Sequence, residues 1–254
     1  MSLLISLLIK APLILISTIV MGTISVAISF FDPEGRKQHA ISRNWAKQLL
    51  MIAGLRVRIR GMEHVDLTRN YVFVGNHLSL FDTPTVLANI PQQFLFLVSA
   101  KYVKIPFLGT HLRRSGHFPV DASDTRSSLK VMTDAARRIN EKGLSILLFP
   151  EGRRSKTGEL QDFKEGAAYI AIKAQVPVIP FALRGTREAL PVGSVNLRGG
   201  EVDFVLGEPI QTAGLTLKDR EDFTALLRER VAALKVEADQ QGEPARRPTV
   251  VVRT

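Results

Sequence analysis

From residue 55 to about residue 237 the chain alternates short apolar runs with longer stretches of helical periodicity, and this alternation constrains the fold more than any single residue does. The runs at 71–76 (YVFVGN), 94–100 (FLFLVSA), 145–150 (SILLFP) and 176–183 (VPVIPFAL) are apolar on successive positions, not on alternate ones. A strand of that kind presents apolar side chains on both faces and belongs inside a sheet covered on both sides. Further strands are expected at 56–61 (RVRIRG), 117–121 (HFPVD) and 201–207 (EVDFVLG). Helical patterns fall near 83–89, 123–141, 165–174 and 218–237. The prediction is one α/β domain over residues 55–238, a mainly buried mixed sheet flanked by helices. Residues 239–254 lose periodicity and read as a disordered tail. In such sheets ligands bind outside the carboxyl ends of strands, so the segments that follow the apolar runs are where chemistry is expected.

Residues 1–54 read as a hydrophobic plus amphipathic helical membrane anchor. Residues 11–31 carry no charge, and as a helix they would extend about 31 Å, the hydrocarbon thickness of a bilayer. Lys10 stands between this run and the apolar residues 3–9, and Pro12 and Gly22 are bending points. A spanning helix and a helix entering one leaflet both fit; a cleaved signal fits less well, because the run is long and a lysine lies inside the apolar region. After a turn at Asp32-Pro33-Glu34-Gly35, residues 36–53 place Ile41, Trp45, Leu49 and Ile52 at helical spacing, either against a membrane surface or on the domain core. The flank carries Arg36, Lys37, Arg43, Lys47, Arg56, Arg58 and Arg60, which the positive-inside tendency leaves in the cytoplasm. A net charge of +10 favours anionic partners. No nucleic-acid-binding motif accompanies it, so an anionic membrane surface is the expected partner and nucleic acid is not.

Two segments carry chemistry: Asn76-His77-Leu78-Ser79-Leu80-Phe81-Asp82 and Phe149-Pro150-Glu151-Gly152-Arg153-Arg154-Ser155. In a regular helix His77 and Asp82 would sit about 140° apart, so they meet only if the chain turns between a strand and a helix. Ser79 or Asp82 as a helix cap and Pro84 in the first turn provide for that. The carboxylate would then fix the imidazole tautomer and leave the second ring nitrogen to take a proton from a hydroxyl. Ser79 lacks the glycine-flanked elbow of a serine nucleophile. The guanidinium of Arg154, and that of Arg153 unless it merely faces water, suits a phosphate. His39, His64, His111 and His117 belong to no chemical cluster, no metal-ligand spacing occurs, and without cysteine there is neither a disulfide nor a thiol nucleophile.

These residues resemble the glycerolipid acyltransferase superfamily. His77 and Asp82 match its histidine, four residues, aspartate signature, and Phe149-Pro150-Glu151-Gly152 with Arg154-Ser155 matches its second block. The segment from Lys101 to Gly109 is similar to its lysine-containing block, and Val176-Pro177-Val178-Ile179-Pro180 to its last. The resemblance implies a glycerol-3-phosphate acyltransferase-like fold. It also implies that His77 deprotonates the free hydroxyl of a lysophospholipid, which attacks an acyl thioester with no acyl-enzyme intermediate. Asp82 would orient His77, Glu151 and Gly152 would hold the glycerol, and Arg154 with Lys101 would bind the phosphate. The implied reaction acylates the sn-2 hydroxyl of 1-acyl-sn-glycerol-3-phosphate at the cytoplasmic face of a bacterial inner membrane. Acyl-coenzyme A or acyl carrier protein would be the donor, with no cofactor and no metal. Two departures bear on the acceptor. Arg153 stands where the family usually has threonine, and in Gly116-His117-Phe118-Pro119-Val120-Asp121 the usual phenylalanine is Pro119 and the arginine that commonly follows is Ala122. Arg113, Arg114 or Arg126 would then supply the charge. Glycerol-3-phosphate, a lyso-ornithine lipid or another lysophospholipid are the alternative acceptors, and a lipid-binding protein without catalysis is the alternative class.

Overall fold

The computed structural model describes residues 2–105, 108–121 and 124–242. It begins with one continuous helix: α1 (Ser2–Ile5), a π-helical stretch (Ser6–Lys10), α2 (Ala11–Ile28) and a 3-10 turn (Ser29–Phe31). Then follow α3 (Arg36–Ala53), β1 (Leu55–Arg60), β2 (Val72–Gly75), α4 (Asp82–Asn89), β3 (Phe94–Ser99), α5 (Leu108–Arg114) and β4 (Phe118–Val120). The remainder is α6 (Thr125–Lys142), β5 (Ser145–Leu148), α7 (Gly166–Ala174), β6 (Val178–Arg184), α8 (Thr186–Ala189), β7 (Gly200–Leu206) and α9 (Arg220–Gly242).

The strands form one seven-stranded sheet in the order β1-β7-β6-β2-β5-β3-β4. From β6 to β4 all neighbours are parallel; β7 is antiparallel to β6 and parallel to β1, so the sheet is mixed as expected. Its two faces follow the strand period of two. Phe73, Leu147 and Ile179 point into one core with α3 and α4, whereas Val72, Val74, Ile146, Leu148 and Val178 point into the other with α6, α7 and α9. Phe73 and Phe181 are wholly buried, so truncating either to alanine would cost about 3–5 kcal/mol. The adjacent strands β2 and β5 send their following helices, α4 and α7, to opposite faces. The crevice this opens at the strand ends is where ligands bind in open α/β sheets.

α2 and α3 form an antiparallel hairpin around a turn in which Gly35 takes φ +70° and the Asp32 carboxylate accepts the Gln38 amide. α3 lies between α2 and the sheet, which resolves the two roles open for residues 36–53. Ala46, Leu49, Leu50 and Ala53 are core, while Trp45 donates its indole N–H to Thr18 Oγ1 across the hairpin. The first helix is fastened along its whole length. Ser25 Oγ meets His111 Nδ1 at 2.8 Å and Ser17 donates to Gln48. At the other end Lys10 Nζ donates to Ala53 O (2.8 Å) and Leu197 O (3.2 Å), and Ser6 Oγ donates to Leu197 O. Lys10 is thus a tie between the helix and two carbonyls. On the outward side Leu4, Leu8, Leu15, Ile16, Phe30 and Phe31 are exposed.

One boundary is corrected. α9 runs to Gly242, so residues 239–242 belong to the domain and not to a tail; Asp239 holds the helix by pairing with Lys235 (2.9 Å) and Arg184 (3.6 Å). Residues 243–254 of the expected tail, Pro106 and Phe107 of the lysine-containing block, and Ala122 and Ser123 lie outside the described residues.

Candidate active site

β2 ends at Gly75, and a Cβ there would lie 2.1 Å from the buried Phe181 ring, so only glycine lets the strand end against β6. Asn76 follows, buried, with its side-chain amide paired both ways to the backbone of Leu183, donating to the carbonyl (2.9 Å) and accepting from the amide (2.8 Å). This clip continues the β2–β6 pairing by one side chain and delivers His77 to the edge of the sheet. The second segment leaves β5 alongside, with Val74 in register with Leu148, and grips His77. The imidazole stacks on Phe149 with centroids 4.2 Å apart, the His77 amide donates to Glu151 Oε1 (2.6 Å), and its carbonyl accepts from the Ser155 amide (2.8 Å).

Asp82 is the first residue of α4 and is wholly buried. Its Oδ2 accepts from His77 Nδ1 (2.7 Å), Leu78 N (2.5 Å) and Ser79 N (2.8 Å), and its Oδ1 accepts from the Thr186 hydroxyl (2.5 Å). The turn between His77 and Asp82 therefore forms, but not through a helix cap. The carboxylate reaches back to the amides before it, and neither Ser79 nor Asp82 caps α4. Ser79 is fully buried with its hydroxyl on Leu190 O (2.9 Å), a structural serine. An ionised carboxylate only accepts, so the neutral ring carries its proton on Nδ1 and its lone pair on Nε2. Nε2 has no hydrogen-bond partner among the described residues, and the side chain keeps 19% of its exposure.

Glu151 is buried, and both its oxygens are engaged by the protein: Oε1 by the His77 amide, Oε2 by Gln161 N and Nε2 (each 3.0 Å). It thereby seats His77. Gly152 takes φ +71°, and a Cβ there would meet the Lys164 side chain at 3.2 Å. Arg153 is exposed and donates to Gln161 Oε1 (2.7 Å); the half-buried Arg154 has no partner for its guanidinium among the described residues. An open cavity of about 780 Å³ is lined by Glu151, Gly152, Arg153, Gln161 and Lys164 among others, and reaches the dyad only through Glu151, which holds the His77 amide. Lys101 follows β3, the strand beside β5, and so stands at the same edge of the sheet. It is exposed, with its ammonium over the Tyr102 ring, and meets none of the other expected residues. Arg113 is turned to Val103 O and Arg114 to Ser29 and the Phe30 ring, so Arg114 serves the docking of the first helix.

Thr186, Gln161, Lys164 and the Asn76 clip were not predicted by the sequence. Thr186 directly follows Gly185 at the end of an apolar run, and the preference of sites for strand ends is the only signal that points there. The resolved pKa shifts lie away from the dyad. Burial pushes His39 and His111 down to about 4 and His117 to about 3, with Arg43 adding to the effect on His39 and the other two histidines to that on His117. His39 belongs to α3 and His111 to α5, and the rings of His111 and His117 lie with centroids 5.8 Å apart at a tilt of 55°.

A family model described as Acyltransferase matches residues 56–184, which hold both segments, and the chain belongs to the acyltransferase family. The relatives are more particular. The chain is 30% identical over 222 residues to a 1-acyl-sn-glycerol-3-phosphate acyltransferase of Haemophilus influenzae, covering 86% of this chain and 90% of that one. It is 34% identical over 189 residues to a chloroplastic 1-acyl-sn-glycerol-3-phosphate acyltransferase of Arabidopsis thaliana (72% and 51%), and 28% identical over 179 residues to one from Limnanthes douglasii (70% and 63%). The chain thus spans between half and two thirds of these plant relatives. Among solved structures, the 1-acyl-sn-glycerophosphate acyltransferase PlsC of Thermotoga maritima superposes with a TM-score of 0.79 at 23% identity, over 96% of this chain and 99% of that one, and shares the fold.

Proposed function

We propose that the protein transfers a fatty acyl group from a thioester to the sn-2 hydroxyl of 1-acyl-sn-glycerol-3-phosphate, yielding phosphatidate. The observation that carries this reading is the His77 Nδ1 to Asp82 contact of 2.7 Å, with Nε2 free of any partner among the described residues. Nε2 takes the acceptor hydroxyl proton as that oxygen attacks the thioester carbonyl carbon. The C–S bond then breaks, and the departing thiolate recovers the proton from the imidazolium. Asp82 holds the ring in the productive tautomer and stabilises its transient positive charge. Arg154, unpaired and half-buried, receives the phosphate, with Lys164 and Lys101 as further cations at the same edge. The names of the bacterial and plant relatives support this acceptor over glycerol-3-phosphate. Acyl-coenzyme A or acyl carrier protein supplies the acyl group.

The fastening of the first helix favours a helix lying in one leaflet over one that crosses the bilayer. A helix tied to the domain at Ser6, Lys10, Ser17 and Ser25 cannot leave it to span. Its exposed apolar side instead enters the near leaflet, with Arg36, Lys37 and Lys47 exposed beside it for anionic headgroups. That leaflet is the cytoplasmic one of a bacterial inner membrane. The test is acyl transfer by the detergent-solubilised protein to a panel of lysophospholipids and glycerol-3-phosphate with both donor types. Transfer to 1-acyl-sn-glycerol-3-phosphate, abolished in His77→Ala, is expected; equal transfer by the variant overturns the mechanism, and preference for another acceptor overturns the substrate.

A further inference from the structure

We infer that Thr186 is a positioning residue of the reaction, acting through Asp82; this rests on the reading of His77 and Asp82 as the catalytic pair. Three of the four hydrogen bonds to the Asp82 carboxylate arrive on Oδ2 from residues 77–79, which are its own loop. They tie the carboxylate to the loop and leave its plane free to turn about Oδ2, because the terminal torsion of an aspartate is broad. Oδ1 receives its bond from Thr186 Oγ1, at 2.5 Å and from 104 residues away. That bond fixes the carboxylate plane, and with it the direction in which His77 presents Nε2.

Thr186 is in turn held where little can move it. It is wholly buried, and it follows Gly185, whose φ of +90° and a Cβ position 2.1 Å from Glu201 O admit no other residue. Three residues earlier the Asn76 clip holds Leu183, and four residues later the Ser79 hydroxyl holds Leu190 O. The segment from 183 to 190 is therefore pinned to the histidine loop on both sides of Thr186. The segment serves as a rigid mount for one hydroxyl, and that hydroxyl meets a carboxylate oxygen with no other described partner. The Thr186 hydroxyl reaches Asp82 and none of the residues expected to bind the acceptor, so it acts on the chemical step and not on acceptor binding.

The test compares Thr186→Val, Thr186→Ser and Thr186→Cys with the unmodified protein, in micelles containing 1-acyl-sn-glycerol-3-phosphate and an acyl-coenzyme A, with thermal unfolding measured alongside to normalise for folded protein. Thr186→Val, matched in volume, is expected to lower kcat about 10- to 100-fold, the range of a lost hydrogen bond to a charged group, with KM for the acceptor changed less than about threefold. Thr186→Ser restores kcat to within about threefold. Thr186→Cys, a weak donor, falls between them and replaces the valine variant if that one does not fold. Adding Thr186→Val to Asp82→Ala should cost nothing further, since no carboxylate remains to be held. A valine variant with unchanged kcat, a serine variant as impaired as valine, or additive losses in the double variant would overturn the inference. If these outcomes occur while His77→Ala is inactive, only the role of Thr186 fails; if His77→Ala is active, the catalytic pair itself is wrong and the inference falls with it.

Discussion

Replacing Asp82 with asparagine separates two things the carboxylate does. The carboxamide has the same shape, and its oxygen can accept from Leu78 N, Ser79 N and His77 Nδ1 while its NH₂ donates to the Thr186 hydroxyl, so the loop and the tautomer survive. The negative charge does not. With Nδ1 and Oδ2 at 2.7 Å, the centres of an imidazolium and a carboxylate lie about 4 Å apart, and an effective dielectric of about 20 makes their attraction about 4 kcal/mol. A transition state in which the proton is half to fully transferred to His77 loses about 2–4 kcal/mol, or roughly 30- to 1000-fold in kcat/KM. The assay is thiol release from acyl-coenzyme A in mixed micelles with 1-acyl-sn-glycerol-3-phosphate, run on the unmodified protein, Asp82→Asn and His77→Ala, with unfolding midpoints recorded for each. An Asp82→Asn protein that folds normally and keeps more than about a tenth of the activity would refute the argument that His77 acquires positive charge beside a buried carboxylate.

Two further outcomes follow from named contacts. His39, His111 and His117 have folded-state values of about 4, 4 and 3, below the unfolded value of about 6.5, so the unfolded chain binds their protons first. Stability is therefore fully present above about pH 6.5 and declines as pH falls toward 4, by up to about 3 kcal/mol for each ring; denaturant midpoints that stay flat between pH 7 and 4.5 would refute the burial of these rings. Arg154→Ala should raise KM for the lysophospholipid about 10- to 100-fold at little changed kcat. Arg153→Ala should raise it less than about threefold, because that guanidinium is already turned to Gln161; equal effects would sink the assignment.

The sheet was legible because its strands are buried on both faces and so appear as unbroken apolar runs; β2, β3, β5 and β6 lie within a few residues of where those runs fall. The meeting of His77 and Asp82 was legible because five residues between a strand and a helix leave little choice but a turn. The means by which they meet was not, since nothing in the residue types distinguishes a carboxylate that caps the next helix from one that folds back on the preceding amides. Thr186 and the Asn76 clip depend on β6 lying beside β2, and strand order is a property of the whole sheet that no local pattern carries. Gln161 reaches Glu151 across a loop without periodicity. The end of α9 was misplaced because QQG is polar and unpatterned, while its support, Arg184 against Asp239, comes from β6. Lys10 looked like an interruption for the same reason: its two carbonyl partners lie 43 and 187 residues away.

Those separations bear on how the molecule is made. Ser6 waits for Leu197, 191 residues later, and at about 5–20 residues per second the ribosome needs roughly 10–40 s to supply it. β1 waits too, for about three quarters as long, since its one neighbour in the sheet is β7, with Leu55 in register with Gly200. Throughout that interval the first helix has α3 beside it but not the Leu197 end of its seat, and its outward apolar side must find lipid or remain in water. The first helix is thus committed to the bilayer before its seat is complete, and the sheet closes later, onto a helix already in place.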